Sequence, residues 1–394
     1  MPCMRFHPNR RGPLTAQYFL YFGVMGMQLP FFNLYCYHLG FDAWQIGALQ
    51  ATRSVVLILF SIFWSILADR FQTRRPIYLL CNFASAAMWA LFLLTTHFFW
   101  MLIITVLYGV FYAPLIAFLE AFAMDALGLD KKRYGRMRAW GSAAFILVVL
   151  TLGRMIDAYG VKIILSFILA GSWLQALVAL GFPRSDGPQI PAFNRWRDML
   201  NVRVTLFLVC GFLMLVSHGA YYTFYSIHLA ELGYGNFFIG MCWAAAVGAE
   251  IVVMLFSERI FKKFRYETVL IVSFGAAVLR WTGMWGAESA AVLLMLQVVH
   301  AFTYGTFHMT SILYIDMLAP RETKTLGQAV NNAVTYGLGL MTGSFLSGAL
   351  YQQIGARGLF ALSALIAMAG GALFGSHILL RKRWMKVTEK KTFF

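Results

Sequence analysis

The sequence predicts an all-α integral membrane protein of twelve transmembrane helices, arranged as two pseudo-symmetric six-helix bundles. Three observations predict this class. Hydrophobic residues make up 60% of the 394 residues and charged residues only 12%, about half the charged share of soluble domains. Twelve apolar segments are each long enough to cross about 30 Å of hydrocarbon at about 1.5 Å per residue. A polar stretch over 182–202 separates them into two sets of six.

The spans are predicted to be helical because a strand with open edges cannot satisfy its backbone in lipid. β-Barrel strands would instead show alternation over about ten residues. The halves are predicted as an N-terminal bundle over 1–181, a cytoplasmic linker over 182–202, and a C-terminal bundle with a cytoplasmic tail over 203–394. In chain order, the predicted spans are 15–37, 44–68, 76–95, 99–124, 137–157, 161–181, 203–229, 237–257, 267–286, 289–317, 325–351 and 357–380.

The orientation follows from the placement of the 32 Lys and Arg residues, of which 27 fall on one side of the predicted spans. The opposite side carries only Arg154, Lys162 and Arg357. Because basic residues concentrate on the cytoplasmic side, both termini are predicted to be cytoplasmic in a multi-pass protein of the cell (inner or plasma) membrane. The net charge of +16 is then explained by topology and contact with the anionic lipid bilayer, so no nucleic-acid partner is expected.

Several classes of chemistry find no support in the sequence. The five cysteines lie far apart, so neither a metal site nor a disulfide framework is predicted. No nucleotide-binding string and no G-x-S-x-G or H-E-x-x-H string occurs, so no enzyme, metal or cofactor is predicted. A weak internal repeat, WQIG at 44–47 and FFIG at 237–240, supports two related halves around a central cavity, the architecture of secondary transporters.

The string SILADRFQTRR at 65–75 resembles the cytoplasmic signature loop of the major facilitator superfamily, with the acidic and basic residues matched and both glycines replaced. Further strings resemble the branch of proton-linked permeases similar to the phenylpropionate permease, more distantly related to nucleoside and sugar symporters. The resemblance implies the major facilitator fold and a monomer that moves a small organic solute together with protons by alternating access. The strings are YFLYF at 18–22, PFF at 30–32, YGRMRAWGS at 134–142, AEI at 249–251 and QVVHAFTYGTFH at 297–308.

Ionisable side chains inside spans are functional hypotheses, because each costs on the order of 3 kcal/mol or more. Each half offers one arginine and one glutamate, Arg53 with Glu120 and Arg280 with Glu250. One interpretation makes them structural ion pairs within their halves. The other lets a glutamate carry the transported proton, since desolvation favours a protonated carboxyl and a nearby arginine favours the ionised form.

The tenth span places His300, Tyr304 and His308 four residues apart, which puts them on one helix face. We predict that this face lines the cavity and contacts substrate or protons, His300 as the substrate contact and His308 as a proton relay. In the eleventh span, Asn331, Asn332 and Tyr336 are weaker candidates for cavity lining. Its glycines predict close helix contact rather than a nucleotide loop.

Charged residues near the cytoplasmic ends of the spans are predicted to form gates. Asp125 and Asp316 end spans four and ten, and each is expected to pair with a neighbouring basic residue of a loop. Asp69, the acidic residue of the signature loop, is also predicted to be a gate residue. The predicted gating residues are Asp69, Arg70, Arg74, Asp125, Arg136 and Asp316.

The first substrate prediction is an aromatic or other organic acid, because Arg53 or Arg280 could bind a carboxylate bidentately. Tyr21, Tyr35 and Trp140 are the rings that an aromatic substrate would use. If both arginines are instead neutralised by glutamates, a neutral nucleoside or sugar fits equally well. A non-transporting membrane sensor on the same fold is the remaining alternative.

Overall fold

A computed structural model describes residues 11–127, 134–182, 201–320 and 324–391, and all regular structure in these ranges is helical. The predicted linker and the ends of the chain lie largely outside them. In chain order the helices are α1 (Arg11–His38), α2 (Ala43–Phe71), α3 (Arg74–Ala90), α4 (Phe98–Tyr112), α5 (Leu115–Leu127), α6 (Tyr134–Tyr159), α7 (Ile163–Ala179), α8 (Val202–Glu231), α9 (Asn236–Lys263), α10 (Tyr266–Gly286), α11 (Ala290–Val298), α12 (Thr306–Leu318), α13 (Lys324–Asn331) and α14 (Leu340–Lys391).

Every predicted span falls on helical structure, and nine stretches within the described ranges are long and apolar enough to cross a membrane. One of these, Leu326–Leu380, is 55 residues long and contains the predicted eleventh and twelfth spans. The two are separated at Gly355, whose φ of 64° and ψ of 177° interrupt the helix. Glycine adopts this backbone conformation without the steric cost that a Cβ would bring.

Two spans contain π-helical segments that the sequence does not predict. Residues Ala301–Gly305 join α11 to α12, and residues Asn332–Gly339 join α13 to α14. A π-helical turn adds a residue to the helical repeat and rotates the side chains that follow, and such turns are frequent at functional sites. Both segments contain or adjoin polar residues that the sequence analysis selected in these spans.

The chain forms two compact units by internal contact. Unit 1 comprises 1–191 with 222–247, and unit 2 comprises 192–221 with 248–394. The helices α8 and α9 therefore contribute to both units. The predicted boundaries at 181 and 203 stay predictions, because the described residues leave most of the linker out.

In unit 1, the first turn of α9 packs against the end of α6 through backbone contact and a carboxylate cap. A Cβ on Gly153 would lie 2.5 Å from the carbonyl oxygen of Asn236, and one on Gly240 would lie 2.2 Å from that of Val149. Asp157 accepts hydrogen bonds from the backbone N–H of Asn236 at 2.7 Å and from that of Phe237 at 2.9 Å. These N–H groups begin a helix and lack intrahelical partners, so a side chain of α6 caps α9.

In unit 2, α8 crosses the eleventh span at glycines. A Cβ on Gly219 would lie 2.1 Å from the carbonyl carbon of Gly343, and one on Gly339 would lie 2.9 Å from the carbonyl oxygen of Phe212. No larger side chain fits these positions without displacing backbone. The predicted close helix contact at Gly339 and Gly343 is confirmed.

Candidate transport site

A buried polar cluster in unit 2 joins three helical spans through His300. The His300 Nδ1 atom lies 2.7 Å from Nη1 of Arg280 on α10. The His300 Nε2 atom lies 2.9 Å from Oε1 of Glu250 on α9. The imidazole therefore bridges the predicted arginine and glutamate of this half, and both His300 and Arg280 are buried.

The hydrogen bonds of Arg280 fix the protonation of this imidazole. A guanidinium has only N–H donors, so Nδ1 of His300 must accept the hydrogen bond from Nη1 and carries no proton. The ring is then the neutral tautomer with its proton on Nε2, and that proton is donated to Glu250. In this arrangement His300 carries no charge, and Glu250 is the acidic group that it contacts.

Arg280 is held on every side of its guanidinium. Besides its bond to His300, Nε donates to the carbonyl oxygen of Leu296 at 3.2 Å and Nη2 donates to Oε1 of Gln297 at 2.9 Å. The guanidinium carbon also lies 4.2 Å from the ring centre of Tyr221 and 4.6 Å from that of Trp281. Nη1 also donates to Oγ1 of Thr303 at 3.3 Å. Stacking on two rings and hydrogen bonding to four neighbours make Arg280 a rigid part of the cluster.

The stripe predicted in the tenth span is present as a column of parallel rings. The centroid of Tyr304 lies 5.4 Å from that of His300 and 5.9 Å from that of His308, with interplanar angles of 7° and 4°. Tyr336 meets both Tyr304 and His308 edge-on, and its hydroxyl lies 3.0 Å from Oγ of Ser311. The structure therefore brings Tyr336 to the stripe.

The two neighbouring asparagines of the eleventh span differ in environment. Asn332 is exposed, whereas Asn331 is buried and accepts a hydrogen bond from Thr335 at 3.1 Å. Asn331 also has a side-chain N–H group with no acceptor among the described residues. The buried polar position of this pair is Asn331 rather than Asn332.

Sequence reasoning missed His218 as a member of the cluster. Its Nδ1 lies 2.8 Å from the carbonyl oxygen of Met214, and its Nε2 lies 3.4 Å from Oγ1 of Thr303. Thr303 in turn lies 3.3 Å from Nη1 of Arg280. The available signal was a histidine inside an apolar span, the same signal that selected His300.

In unit 1, Arg53 and Glu120 have different neighbours. Arg53 Nη2 donates to Oε1 of Gln28 at 2.6 Å, and Gln28 donates from Nε2 to the hydroxyl of Tyr108. Glu120 accepts a hydrogen bond from the hydroxyl of Tyr134 at 3.2 Å. In the ranges that the structure describes, no ion pair joins Arg53 to Glu120, so the structural pairing considered for this half is wrong.

The predicted cytoplasmic gate residues show two ion pairs. Arg74 donates from Nη1 to Asp125 at 2.9 Å, so the acid that ends the fourth span binds an arginine of the signature loop. Asp316 pairs with Lys324, the first residue of α13, at 2.5 Å. Arg70 and Arg136 are exposed, and the side chain of Asp69 lies outside the described set.

Comparison with known proteins places the chain in a family of transporters. Residues 13–362 match the model of the MFS_1 like family. A probable 3-phenylpropionic acid transporter of Escherichia coli (strain K12) is 28% identical over 371 residues, which cover 90% of this chain and 94% of that protein. Maltose permease of Geobacillus stearothermophilus is 25% identical over 351 residues, covering 87% of this chain and 89% of that one.

Solved structures share the fold at low sequence identity. The crystal structure of the nucleoside transporter NupG aligns with a TM-score of 0.80 at 17% identity and covers 95% of this chain and 99% of that one. A bacterial homologue of the human lysosomal transporter Spinster aligns with a TM-score of 0.70 at 13% identity, covering 94% and 97%. The predicted all-helical major facilitator fold is confirmed. The chain belongs to the MFS_1 like family of the major facilitator superfamily, and it is a membrane transporter rather than an enzyme.

Proposed function

We propose that this protein is a proton-coupled secondary transporter that moves a small organic acid across the cell membrane by alternating access. The observation that carries the proposal is the hydrogen-bonded Arg280–His300–Glu250 cluster in unit 2, in which Arg280 and His300 are buried. We further propose that it acts as a monomer with both termini in the cytoplasm, as the distribution of basic residues suggests.

In this cluster the transported proton is held by Glu250. Because Arg280 occupies Nδ1 of His300, an arriving proton goes to the Glu250 carboxyl, which His300 continues to hold through Nε2–H. For a proton to reside on the imidazole instead, Arg280 must first release Nδ1. The Arg280–His300–Glu250 cluster therefore has two protonated arrangements, one with the proton on Glu250 and one with it on His300. The position of Arg280 selects between them.

Electrostatics links this proton to an anionic substrate. With Glu250 ionised, Arg280 and Glu250 sum to zero charge, and protonation leaves the cluster with an excess positive charge in a buried setting. Such a charge is costly away from water unless an anion compensates it. Proton uptake and the binding of an organic anion are therefore expected to favour each other, which is the linkage that symport requires.

The test is uphill uptake into proteoliposomes under an imposed inward proton gradient. We use radiolabelled 3-phenylpropionate as the first substrate, because a relative that is 28% identical is described as its probable transporter. Protein-free liposomes measure passive entry of the neutral acid, and an entrapped pH dye reports proton uptake. We expect accumulation that a protonophore abolishes, accompanied by acidification of the vesicle interior.

Three variants connect this activity to the cluster. Glu250→Gln should abolish uphill accumulation and spare counterflow, because exchange requires substrate binding without net proton movement. Glu258→Gln is the matched control, since that residue lies on the same helix with its side chain 86% exposed. Glu120→Gln tests the other intramembrane glutamate. Wild-type accumulation in both Glu250→Gln and Glu120→Gln would contradict proton coupling through these carboxyls.

The alternative of a neutral nucleoside or sugar substrate has support in the names of relatives, including maltose permease and a putative nucleoside transporter of Escherichia coli that is 25% identical over 336 residues. That alternative requires both intramembrane arginines to be neutralised by glutamates. The hydrogen bond of Arg53 to a neutral amide favours the organic acid. Labelled uridine and maltose in the same vesicles give the comparison.

A further inference from the structure

Arg53 lies in a membrane-spanning helix, and no acidic partner for it occurs among the described residues. In the parts of the chain that the structure describes, its one hydrogen bond runs to Gln28, and its side chain is half-buried. Other cations of the chain do have a carboxylate, including Arg74 with Asp125 and Lys324 with Asp316. A guanidinium has five N–H donors, so most of the donors of Arg53 stay available to a ligand.

Gln28 holds Arg53 in a fixed orientation. Gln28 is 1% exposed, and its side-chain amide is bonded at both ends, to Arg53 through Oε1 and to the Tyr108 hydroxyl through Nε2. The amide orientation follows from chemistry, because the guanidinium can only donate and must face the carbonyl oxygen. A neutral amide positions the cation without cancelling its charge. This is the arrangement that preserves affinity for an anion.

Arg280 differs from Arg53 in each of these properties. It is fully buried, it is bonded to His300, Gln297 and the backbone of Leu296, and its faces are covered by two aromatic rings. An incoming carboxylate would have to displace bonds that are already made. Arg280 is therefore suited to positioning His300, and Arg53 is suited to binding.

Aromatic rings stand beside Arg53. Tyr21, Tyr112 and Tyr108 form a continuous stack, with centroid distances of 5.4 Å and 5.0 Å and interplanar angles of 10° and 22°. Gln28 links this stack to Arg53, because its amide accepts a hydrogen bond from Arg53 and donates one to the hydroxyl of Tyr108. The guanidinium of Arg53 and the stacked tyrosine rings together offer a polar contact and an apolar contact to one small ligand.

We propose that Arg53 is the residue that binds the carboxylate of the transported acid and that the tyrosine stack of Tyr21, Tyr108 and Tyr112 contacts its aromatic ring. The substrate class is thus a short arylalkanoate, with an aromatic ring and a carboxylate joined by a few carbons. The proposal rests on the function proposed above: Arg53 supplies the contact to the carboxylate, and the proton at Glu250 and His300 is linked to the bound anion through its charge rather than through a shared contact.

The experiment measures equilibrium binding of matched ligands to the full-length protein in nanodiscs by isothermal titration calorimetry. The ligands are 3-phenylpropionate, its neutral amide 3-phenylpropanamide, and propionate, which lacks the ring. We expect the wild type to bind the acid at least tenfold more tightly than the amide, because a charge-assisted hydrogen bond to a carboxylate contributes about a factor of ten or more. Propionate should also bind more weakly than the acid, because it lacks the ring that contacts the tyrosine stack.

Two substitutions remove this preference by different routes. Arg53→Gln deletes the charge, and we expect the affinity for the acid to fall to that for the amide while amide binding is unchanged. Gln28→Glu keeps Arg53 and brings a carboxylate to the position 2.6 Å away, where it neutralises the guanidinium with little change in side-chain size. We expect the same loss of acid preference.

Two further variants separate the roles. Lys162→Gln removes an exposed cation of unit 1 and should leave every affinity at the wild-type value. Arg280→Gln should lower uphill transport while keeping the preference for acid over amide. If Arg53→Gln and Gln28→Glu both retain that preference, the assignment of Arg53 is overturned although transport of an acid stands. If the wild type binds no organic acid, both the proposed substrate class and this assignment are overturned.

Discussion

Replacing Arg280 by lysine tests whether the shape of the guanidinium, and not only its charge, maintains the cluster. The guanidinium uses three nitrogen atoms to reach the Leu296 carbonyl, the Gln297 amide and the His300 ring. A lysine ammonium presents one nitrogen and cannot span these acceptors. Losing two buried hydrogen bonds at about 1–3 kcal/mol each predicts a destabilisation of about 2–6 kcal/mol.

The functional consequence of Arg280→Lys follows from the His300 tautomer. Without the fork of Arg280, Nδ1 of His300 is no longer held as an acceptor, and the imidazole can bind the proton that belongs on Glu250. We expect uphill accumulation to fall sharply while counterflow continues. The assays are thermal unfolding monitored by size-exclusion chromatography and gradient-driven uptake in proteoliposomes.

Two companion variants make this result specific. Arg265→Lys makes the same substitution at an exposed position at the start of α10 and should have no effect on stability or uptake. Gln297→Leu removes the partner of Nη2 but leaves the His300 bond in place, so it should lower stability and spare coupling. Wild-type stability and accumulation in Arg280→Lys would refute the reasoning. Equal loss of coupling in Gln297→Leu would reduce Arg280 to a structural role.

Three further predictions concern the packing and the gates. Gly343→Val introduces a Cβ 2.3 Å from the Val216 carbonyl oxygen. We expect overpacking to lower the free energy of unfolding by about 1–3 kcal/mol or more, which a lower unfolding temperature would show. Gly275→Ala is the control and should not lower that temperature, because a Cβ there meets nothing within 4 Å. Asp157→Ala removes the cap from α9 at a cost of about 1 kcal/mol, so hydrogen exchange should accelerate over residues 236–240 and stay unchanged elsewhere. Asp125→Asn leaves the buried guanidinium of Arg74 without its carboxylate, and reduced uptake should recover in the exchanged pair Arg74→Asp with Asp125→Arg; no recovery would show that the pair is not a simple ion contact.

The positions of the spans could be predicted because the membrane imposes a long, simple pattern. About 20 apolar residues are required to cross the hydrocarbon, and each of the twelve predicted segments falls on a helix. The π-helical segments at 301–305 and 332–339 could not be predicted in this way. They change the winding of a span without changing its apolar character, so the hydropathy of the sequence does not reveal them.

The partners of the charges were harder to predict than the charges themselves. Counting residues from the end of a span estimates depth in the membrane but leaves the rotation of each helix about its axis unknown. Arg53 and Glu120 could therefore be placed in one half, yet Arg53 hydrogen-bonds Gln28 and Glu120 hydrogen-bonds Tyr134. A search for ionisable residues also passes over neutral amides, which is why Gln28 and Gln297 were not selected.

In the sequence, Arg53 and Arg280 look equivalent, because each lies well inside a predicted span of its half. The structure distinguishes them by how many of their N–H donors are already hydrogen-bonded. A guanidinium whose donors and faces are occupied contributes its charge and its geometry to its neighbours, as Arg280 does for His300. A guanidinium bonded to one neutral amide, as Arg53 is, keeps both its charge and most of its donors for a ligand. Binding and coupling then need not depend on the same arginine, so an altered substrate preference can arise at Gln28 without any change at Glu250. The variant Gln28→Glu, with proton coupling measured beside acid affinity, separates the two: affinity should fall while each acid molecule that is still carried brings its proton.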